Sequence, residues 1–294
     1  MKYYLKMLLV LLLISSCQKE ETIDSGSNYN QSNSTSYSID HLGLSANKLE
    51  THIKTDNARA IHLVGDDTLL LVHSRNTESV ETYVLKTAGA IQTGEWVSSF
   101  STVDYIGTTS QGSNGHGIFI KPESLDRVWL FNRTEIWQFD LLTPGDMTSA
   151  SNTGYKDLSE IVERGHDLFF APNGEYIYID DRNAAAVHQF LLNDNWDINT
   201  MEIYYSLDIS NRHEAVRSVT FDAEGIQFFL LDTGMKELQA YTLTTPWSLN
   251  SATFKSAKTV EHDNPRGFSW NSSGTKAYIM NTSTGTIYQY DTQD

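Results

Sequence analysis

Cysteine occurs once in the 294 residues, so no intramolecular disulfide braces the fold and no cysteine pair is available for redox or metal chemistry. Proline is almost as scarce, at 5, and with only 18 Gly the chain has the composition neither of collagen nor of a low-complexity segment. Positive charge is short as well: 21 Lys+Arg stand against 37 Asp+Glu, a formal charge of −16. A body that acidic repels phosphate backbones instead of releasing their counterions, which excludes nucleic acid as a partner. No apolar run is long. The longest, residues 7–14, would cover about 12 Å as a helix at ~1.5 Å per residue, against a hydrocarbon core of ~30 Å. There is no G-x-S-x-G elbow, H-E-x-x-H, P-loop or G-x-G-x-x-G either, and no cofactor is expected.

What is present begins with an address. Lys2 and Lys6 precede the apolar run of residues 7–14, which makes residues 1–16 a secretory signal peptide. The following Ile14-Ser15-Ser16-Cys17 resembles the lipobox of bacterial lipoproteins. That resemblance implies cleavage before Cys17, lipidation of its thiol and amine, and attachment to a membrane through acyl chains at about 0.8 kcal/mol per buried CH₂. Gln18-Lys19-Glu20-Glu21 resembles the export signal of some outer-membrane lipoproteins, which implies display on the cell surface; a periplasm-facing orientation is the alternative. Residues 22–40 are rich in Ser, Asn and Thr and poor in aliphatics, so residues 17–40 are expected to be a lipidated flexible tether and residues 41–294 the folded domain.

The folded part has an internal period. A basic residue or His, a small or short residue and an apolar one recur as Arg59-Ala60-Ile61, His116-Gly117-Ile118, His166-Asp167-Leu168, Arg217-Ser218-Val219 and Arg266-Gly267-Phe268, with spacings of 57, 50, 51 and 49. The aromatics Tyr83, Phe139, Phe190, Tyr241 and Tyr290 keep almost the same spacing, 56, 51, 51 and 49. Each unit reads as short alternating strands separated by tight turns, with Gly174, Gly225 and Gly274 in one turn slot where a positive φ is expected. Four antiparallel strands per unit of about 50 residues make the blade of a β-propeller. The pattern Asn264-Pro265-Arg266-Gly267-Phe268, Ser273-Gly274 and Tyr278 resembles the YVTN and lactonase-like propeller repeats. The expectation is an all-β, five-bladed propeller. Its last unit has three strands, and residues 48–60 align without gaps on 255–267, so an N-terminal strand carrying Leu49 and Ile53 is expected to complete that blade.

The candidate site follows from the period. The inner strands all start at one face, which gathers Arg59, His116, His166, Arg217 and Arg266 near the axis. The second strands end on that face at His73, Asn132, Asp180, Asp232 and Asn281. Three readings stay open. Forked guanidiniums and imidazoles can hold an anion, a glycan or a partner protein at the channel mouth, without enzymatic activity and without metal. The same residues can be structural, with Arg217 paired to Asp232 or to a neighbouring blade and His166 to Asp180 or Asp167. A metal-assisted hydrolase or lactonase would instead use Asp180, Asp232, Asn132 and Asn281 as oxygen ligands. On the first reading His116 and His166 strengthen anion binding as they protonate near ~6.5. Asp194-Asn195-Trp196-Asp197 resembles a calcium loop in composition but lacks its Gly and terminal Glu, and reads as a turn. Gln138, Gln189 and Gln289 read as buried amides bound to backbone, and Trp96, Trp196 and Trp247 as packing groups near the connections to the fourth strands.

Overall fold

The computed structural model describes residues 36–51, 58–107 and 115–293. The signal, Cys17, most of the tether and Ile53 lie outside the described residues. Among the described residues, twenty strands form five four-stranded antiparallel sheets. After β1 (Leu42–Glu50), the first blade is β2 (Ala58–Val64), β3 (Leu69–Ser74), β4 (Ser79–Leu85) and β5 (Gly94–Ser101). The second is β6 (Ile118–Ile120), β7 (Arg127–Phe131), β8 (Glu135–Leu141) and β9 (Ala150–Asp157); the third is β10 (Gly165–Phe170), β11 (Tyr176–Asp181), β12 (Ala186–Leu192) and β13 (Met201–Asp208). The fourth is β14 (Val216–Phe221), β15 (Gln227–Asp232), β16 (Glu237–Leu243) and β17 (Ala252–Thr259), and the fifth is β18 (Pro265–Trp270), β19 (Lys276–Asn281), β20 (Thr286–Thr292) and β1.

Inner strands such as β14 are buried along their whole length, whereas outer strands such as β13 alternate half-buried and exposed positions over their second half. The first pattern belongs to a strand covered on both faces, the second to one with a solvent side. Between blades the core is aromatic and aliphatic: Trp129 of β7 lies 4.2 Å from Phe170 of β10 and 5.6 Å from Trp196, ring centroid to centroid. Each inner strand touches the next, and β18 touches β2, so the ring is closed.

The fifth blade is completed from the N-terminus, as the repeat implies, but its register differs from the gapless alignment. Lys48 faces Tyr288 as Ala257 faces Gln239, which places the outer strand two residues further along the repeat than residues 48–60 on 255–267 suggest. The alignment is correct only from Ala58, which faces Ser74 as Pro265 faces Asn281. In β1 three residues, Ser45 to Asn47, oppose one on β20, where β17 carries a one-residue bulge.

A second repeat feature ties third and fourth strands together. Five short 3₁₀ turns begin at Ile39, Ile91, Met147, Ile198 and Leu249, each burying that apolar residue almost completely. Two residues earlier stand Tyr37, Gly89, Gly145, Trp196 and Trp247, all at positive φ. Their N–H groups donate to the carbonyls of Gly274, Asp67, Leu125, Gly174 and Gly225, also all at positive φ. Every pair contains one glycine. A Cβ on Gly174, Gly225 or Gly274 would fall 2.2–2.3 Å from the partner's ring, so where the connection brings an aromatic the turn must be bare. Tyr37 and Ile39 therefore belong to the propeller, although composition assigns them to the tether. Trp96 is not part of this series: it stands on the exposed face of β5 and its indole N–H donates to Glu81 at 2.8 Å. Gln138 and Gln189 do bind backbone, clamping the next blade's turn through the N–H groups of Ile198 and Leu249, while Gln289 donates to Asp291.

Candidate functional site

In four of the five repeats the basic residue sits where the inner strand slips by one residue against the second strand, between Ala58 and Ala60, Gly165 and Leu168, Val216 and Ser218, and Pro265 and Phe268. Such a bulge turns one side chain away from the pleat, here toward the axis. The small residue that follows allows neighbouring inner strands to approach. A Cβ on Gly267 would lie 2.8 Å from the Ile61 nitrogen, and one on Gly117 would lie 3.0 Å from Asp167 Cα.

Arg59, His116, His166 and Arg217 are buried together at this mouth, and Arg266 is half-buried beside them. The Arg217 guanidinium meets His166 Nε2, the rings of His116 and His166 lie 4.5 Å apart, and His166 Nδ1 is 3.8 Å from Asp180 Oδ2. Burial pushes Arg59 down to about 8, Arg217 to about 9 and Arg266 to about 10; the next causes are chiefly other guanidiniums, those of Arg75, Arg133, Arg164 and Arg182 as well as one another. Seven of the chain's nine arginines thus crowd one end of the channel of an acidic protein. The Nε groups of Arg75, Arg133, Arg164 and Arg217 are buried without a hydrogen-bond partner. Forked donors in that number suit an oxyanion: carboxylate, sulfate or phosphate.

Four of these arginines escape a reading based on the inner strand. Arg75, Arg133 and Arg182 share another slot, directly after Ser74, Asn132 and Asp181, and Arg164 directly precedes β10. The recurrent polar-Arg dipeptide at the end of the second strand was the available signal.

The polar residues at the second-strand ends do not form one ring. Strand pairing equates Ser74, Asn132, Asp181, Asp232 and Asn281, so His73 and Asp180 are each one residue out of the set, and a one-residue step reverses the face of a strand. The true set caps turns. Asp232 accepts from the N–H groups of Glu214, Ala215, Gly234 and Met235, Asp181 from Glu163, Arg164, Asn183 and Ala184, Asn132 from Thr134 and Glu135, and Asn281 from Ser283. Arg217 is not paired with Asp232 but meets His166 of the neighbouring blade, the other partner expected of it. Asp180 accepts from the N–H groups of His166 and Asp167, and its burial raises it to about 7. Asp167 is raised well above the carboxylate range by burial and accepts from the Ser218 hydroxyl. His73 Nδ1–H donates to Gly117 O, 3.0 Å away. Among the described residues no three of His, Cys, Asp and Glu are placed to share a metal ion.

Imidazoles held out of water, three of them buried and His62 half-buried, set an acid limit on the fold. Burial lowers His62 and His73 to about 4, and His116 and His166 well below the ordinary value. A depressed histidine contributes stability that is complete above its unfolded value near ~6.5 and is lost as pH falls through the folded value. Asp180 and Asp167, raised, have the opposite sign: what they contribute is present at low pH and lost as pH rises toward about 7 for Asp180. Four imidazoles outnumber two carboxyls. The melting temperature is expected to fall between pH 6.5 and 4.5, and less steeply in His73→Asn, whose amide can replace Nδ1. A pH series of calorimetric melts checks this; identical slopes for parent and variant would refute it.

No protein-family model matches the chain, and no curated protein matches it. Solved structures do. A protein from Lactobacillus plantarum is 14% identical with a TM-score of 0.51, over 79% of this chain and 67% of that one. A functionally unknown protein from Desulfotomaculum acetoxidans (14%, TM-score 0.45, 78% of this chain) is spanned over only 62% of its length. The periplasmic gluconolactonase of Pseudomonas aeruginosa is 14% identical with a TM-score of 0.47, over 81% of this chain and 71% of that one. At such identities the likeness is one of fold, and propellers of one fold host unrelated functions.

Proposed function

We propose that the protein is a binding propeller, held to the bacterial outer membrane by its lipidated N-terminus, whose arginine mouth takes up a multiply charged oxyanion such as a sulfated or uronic-acid glycan. The observation that carries this is the gathering of seven arginines at one mouth of a chain whose net charge is −16. Their mutual repulsion, and the unpartnered Nε groups of Arg75, Arg133, Arg164 and Arg217, favour an anionic ligand. The oxygen-ligand hydrolase reading is weaker, since Asp232, Asn132 and Asn281 use their acceptor oxygens on turn N–H groups.

The test is calorimetric titration with sulfate and with a sulfated oligosaccharide. Each guanidinium hydrogen bond to an oxyanion contributes about 1.5–3 kcal/mol, so the double variant Arg164→Ala, Arg182→Ala should lose about a hundredfold or more in affinity. These two side chains are half-buried and stand outside the inner strands, and the melting temperature should hold. Added salt should weaken binding. His116 and His166 stay neutral in their buried sites, so the rise in sulfate affinity from pH 7.5 to 5.5 that the histidine reading from sequence implies is expected instead from Asp180, held at about 7 near Arg217, as its carboxylate loses its charge. Unchanged affinity in the double variant, or no anion bound by the parent, would defeat the proposal.

A further inference from the structure

The channel has a second mouth of opposite character. Where the inner strands end and turn into the second strands, all five blades line a cavity of about 700 Å³, within the range that accepts a small organic molecule. One wall is a continuous arc of rings: His62 lies 4.5 Å from Phe119, Phe119 lies 5.4 Å from Phe169, and Phe169 lies 5.3 Å from Phe221, which in turn lies 5.4 Å from Trp247. Asp66, Asp67, Glu123 and Asp222 stand around the opening and Asp167 at the inner end, while no Lys or Arg lines the cavity. Two of these carboxylates are fixed in place. Asp67 accepts from the backbone N–H and hydroxyl of Ser272, and Asp222 from the N–H of Ile226. The negative field reaches Tyr37 on the same wall, which burial first and then Asp222 and Asp67 raise to about 12. Trp270 also lines the cavity; it is 6% exposed, and its indole N–H is buried with no hydrogen-bond partner.

We propose that this mouth is a separate binding site for a small organic cation: an ammonium group on an apolar body that also carries an oxygen acceptor. Aromatic faces attract a cation through their quadrupoles, rim carboxylates complement it, and the Trp270 N–H supplies the donor for the oxygen. The site is independent of the arginine mouth. An anion meets repulsion from the four rim carboxylates here, as a cation would from seven guanidiniums at the other end.

The probe is benzoylcholine, followed by calorimetry and by tryptophan fluorescence, against its uncharged counterpart 3,3-dimethylbutyl benzoate and the anion hippurate. Benzoylcholine is expected to bind saturably and at least tenfold more tightly than either control. Asp66→Asn with Glu123→Gln removes two exposed charges without changing shape, and asparagine is at ease at the positive φ of Asp66; this variant should lose at least fivefold in affinity for benzoylcholine and nothing for the neutral ester. Arg164→Ala with Arg182→Ala should leave benzoylcholine binding unchanged, which separates this site from the oxyanion site whichever of the two fails. Equal binding of cation, ester and anion, or binding of none of them, would overturn the proposal.

Discussion

A chain begun at residue 51, without Tyr37 to Glu50, is expected to aggregate instead of melting as a folded propeller. The missing segment buries Ile39, Leu42 and Leu49 and contributes the whole outer strand of the fifth blade. At ~1.5–3 kcal/mol for each buried aliphatic side chain, the loss is roughly 5–9 kcal/mol, against a total stability of about 5–15 kcal/mol for an ordinary domain. It also strips β20 of its partner, and an unpaired edge strand invites other chains. Circular dichroism melts and size-exclusion chromatography decide the matter. Replacing Lys48 and Glu50, an exposed ion pair 3.0 Å apart, by alanine is the control and should change little, as exposed pairs contribute at most about 1 kcal/mol. A truncated protein that elutes as a monomer and melts within a few degrees of the parent would mean that the strand is dispensable to the ring.

The ring was legible because its cause is written five times. The triplets from Arg59-Ala60-Ile61 to Arg266-Gly267-Phe268 encode a close approach at the axis and a core contact, and in four of the five blades a bulge. Details set by a single place in the chain were less legible. The register of β1 depends on an excursion at Ser45–Asn47 that no other blade has, so an alignment to its repeat partner slips by two. Asp180 and Asp181 are adjacent acids with nothing in the sequence to say which one caps the turn; pairing to Gly165 picks Asp181 and turns Asp180 to the opposite face, where it accepts from the N–H groups of His166 and Asp167. In the candidate site the inner-strand residues Arg59, His116, His166, Arg217 and Arg266 do converge. What was missed came from other strands: Arg75, Arg133 and Arg182 arrive through the second-strand turns, and convergence of different slots on one point is a property of the ring. The aromatic cavity is similar. Its rings come from strand ends that read as ordinary core, in Ile118-Phe119-Ile120 and Leu168-Phe169-Phe170, and only closure around an axis tells which of them face the channel.

The pairing of a bare turn with an aromatic connection leads to the other large effect. Gly225→Ala forces a Cβ at φ 68°, which costs ~1–2 kcal/mol for an L-residue in the left-handed region, and drives it to 2.2 Å from the Trp247 ring, where overpacking costs about 1–3 kcal/mol more. At about 2–4 °C per kcal/mol for a domain of this size, the melting temperature should drop by roughly 5–20 °C. Trp247→Ala alone is also costly, at about 3–5 kcal/mol for a lost aromatic, since it removes the stack on Phe221. The informative quantity is the combination. With Trp247 gone the new Cβ has nothing to strike, so Gly225→Ala should then cost only its backbone share, and the two substitutions together should be less damaging than their sum by at least 1 kcal/mol, a coupling measurable in a double-mutant cycle by chemical denaturation. The second blade supplies the natural counterpart, with Leu125 at positive φ in the turn and Gly145 in the connection. Strict additivity of the two substitutions would show that contact with the indole has no part in keeping glycine at position 225, leaving φ alone as the reason.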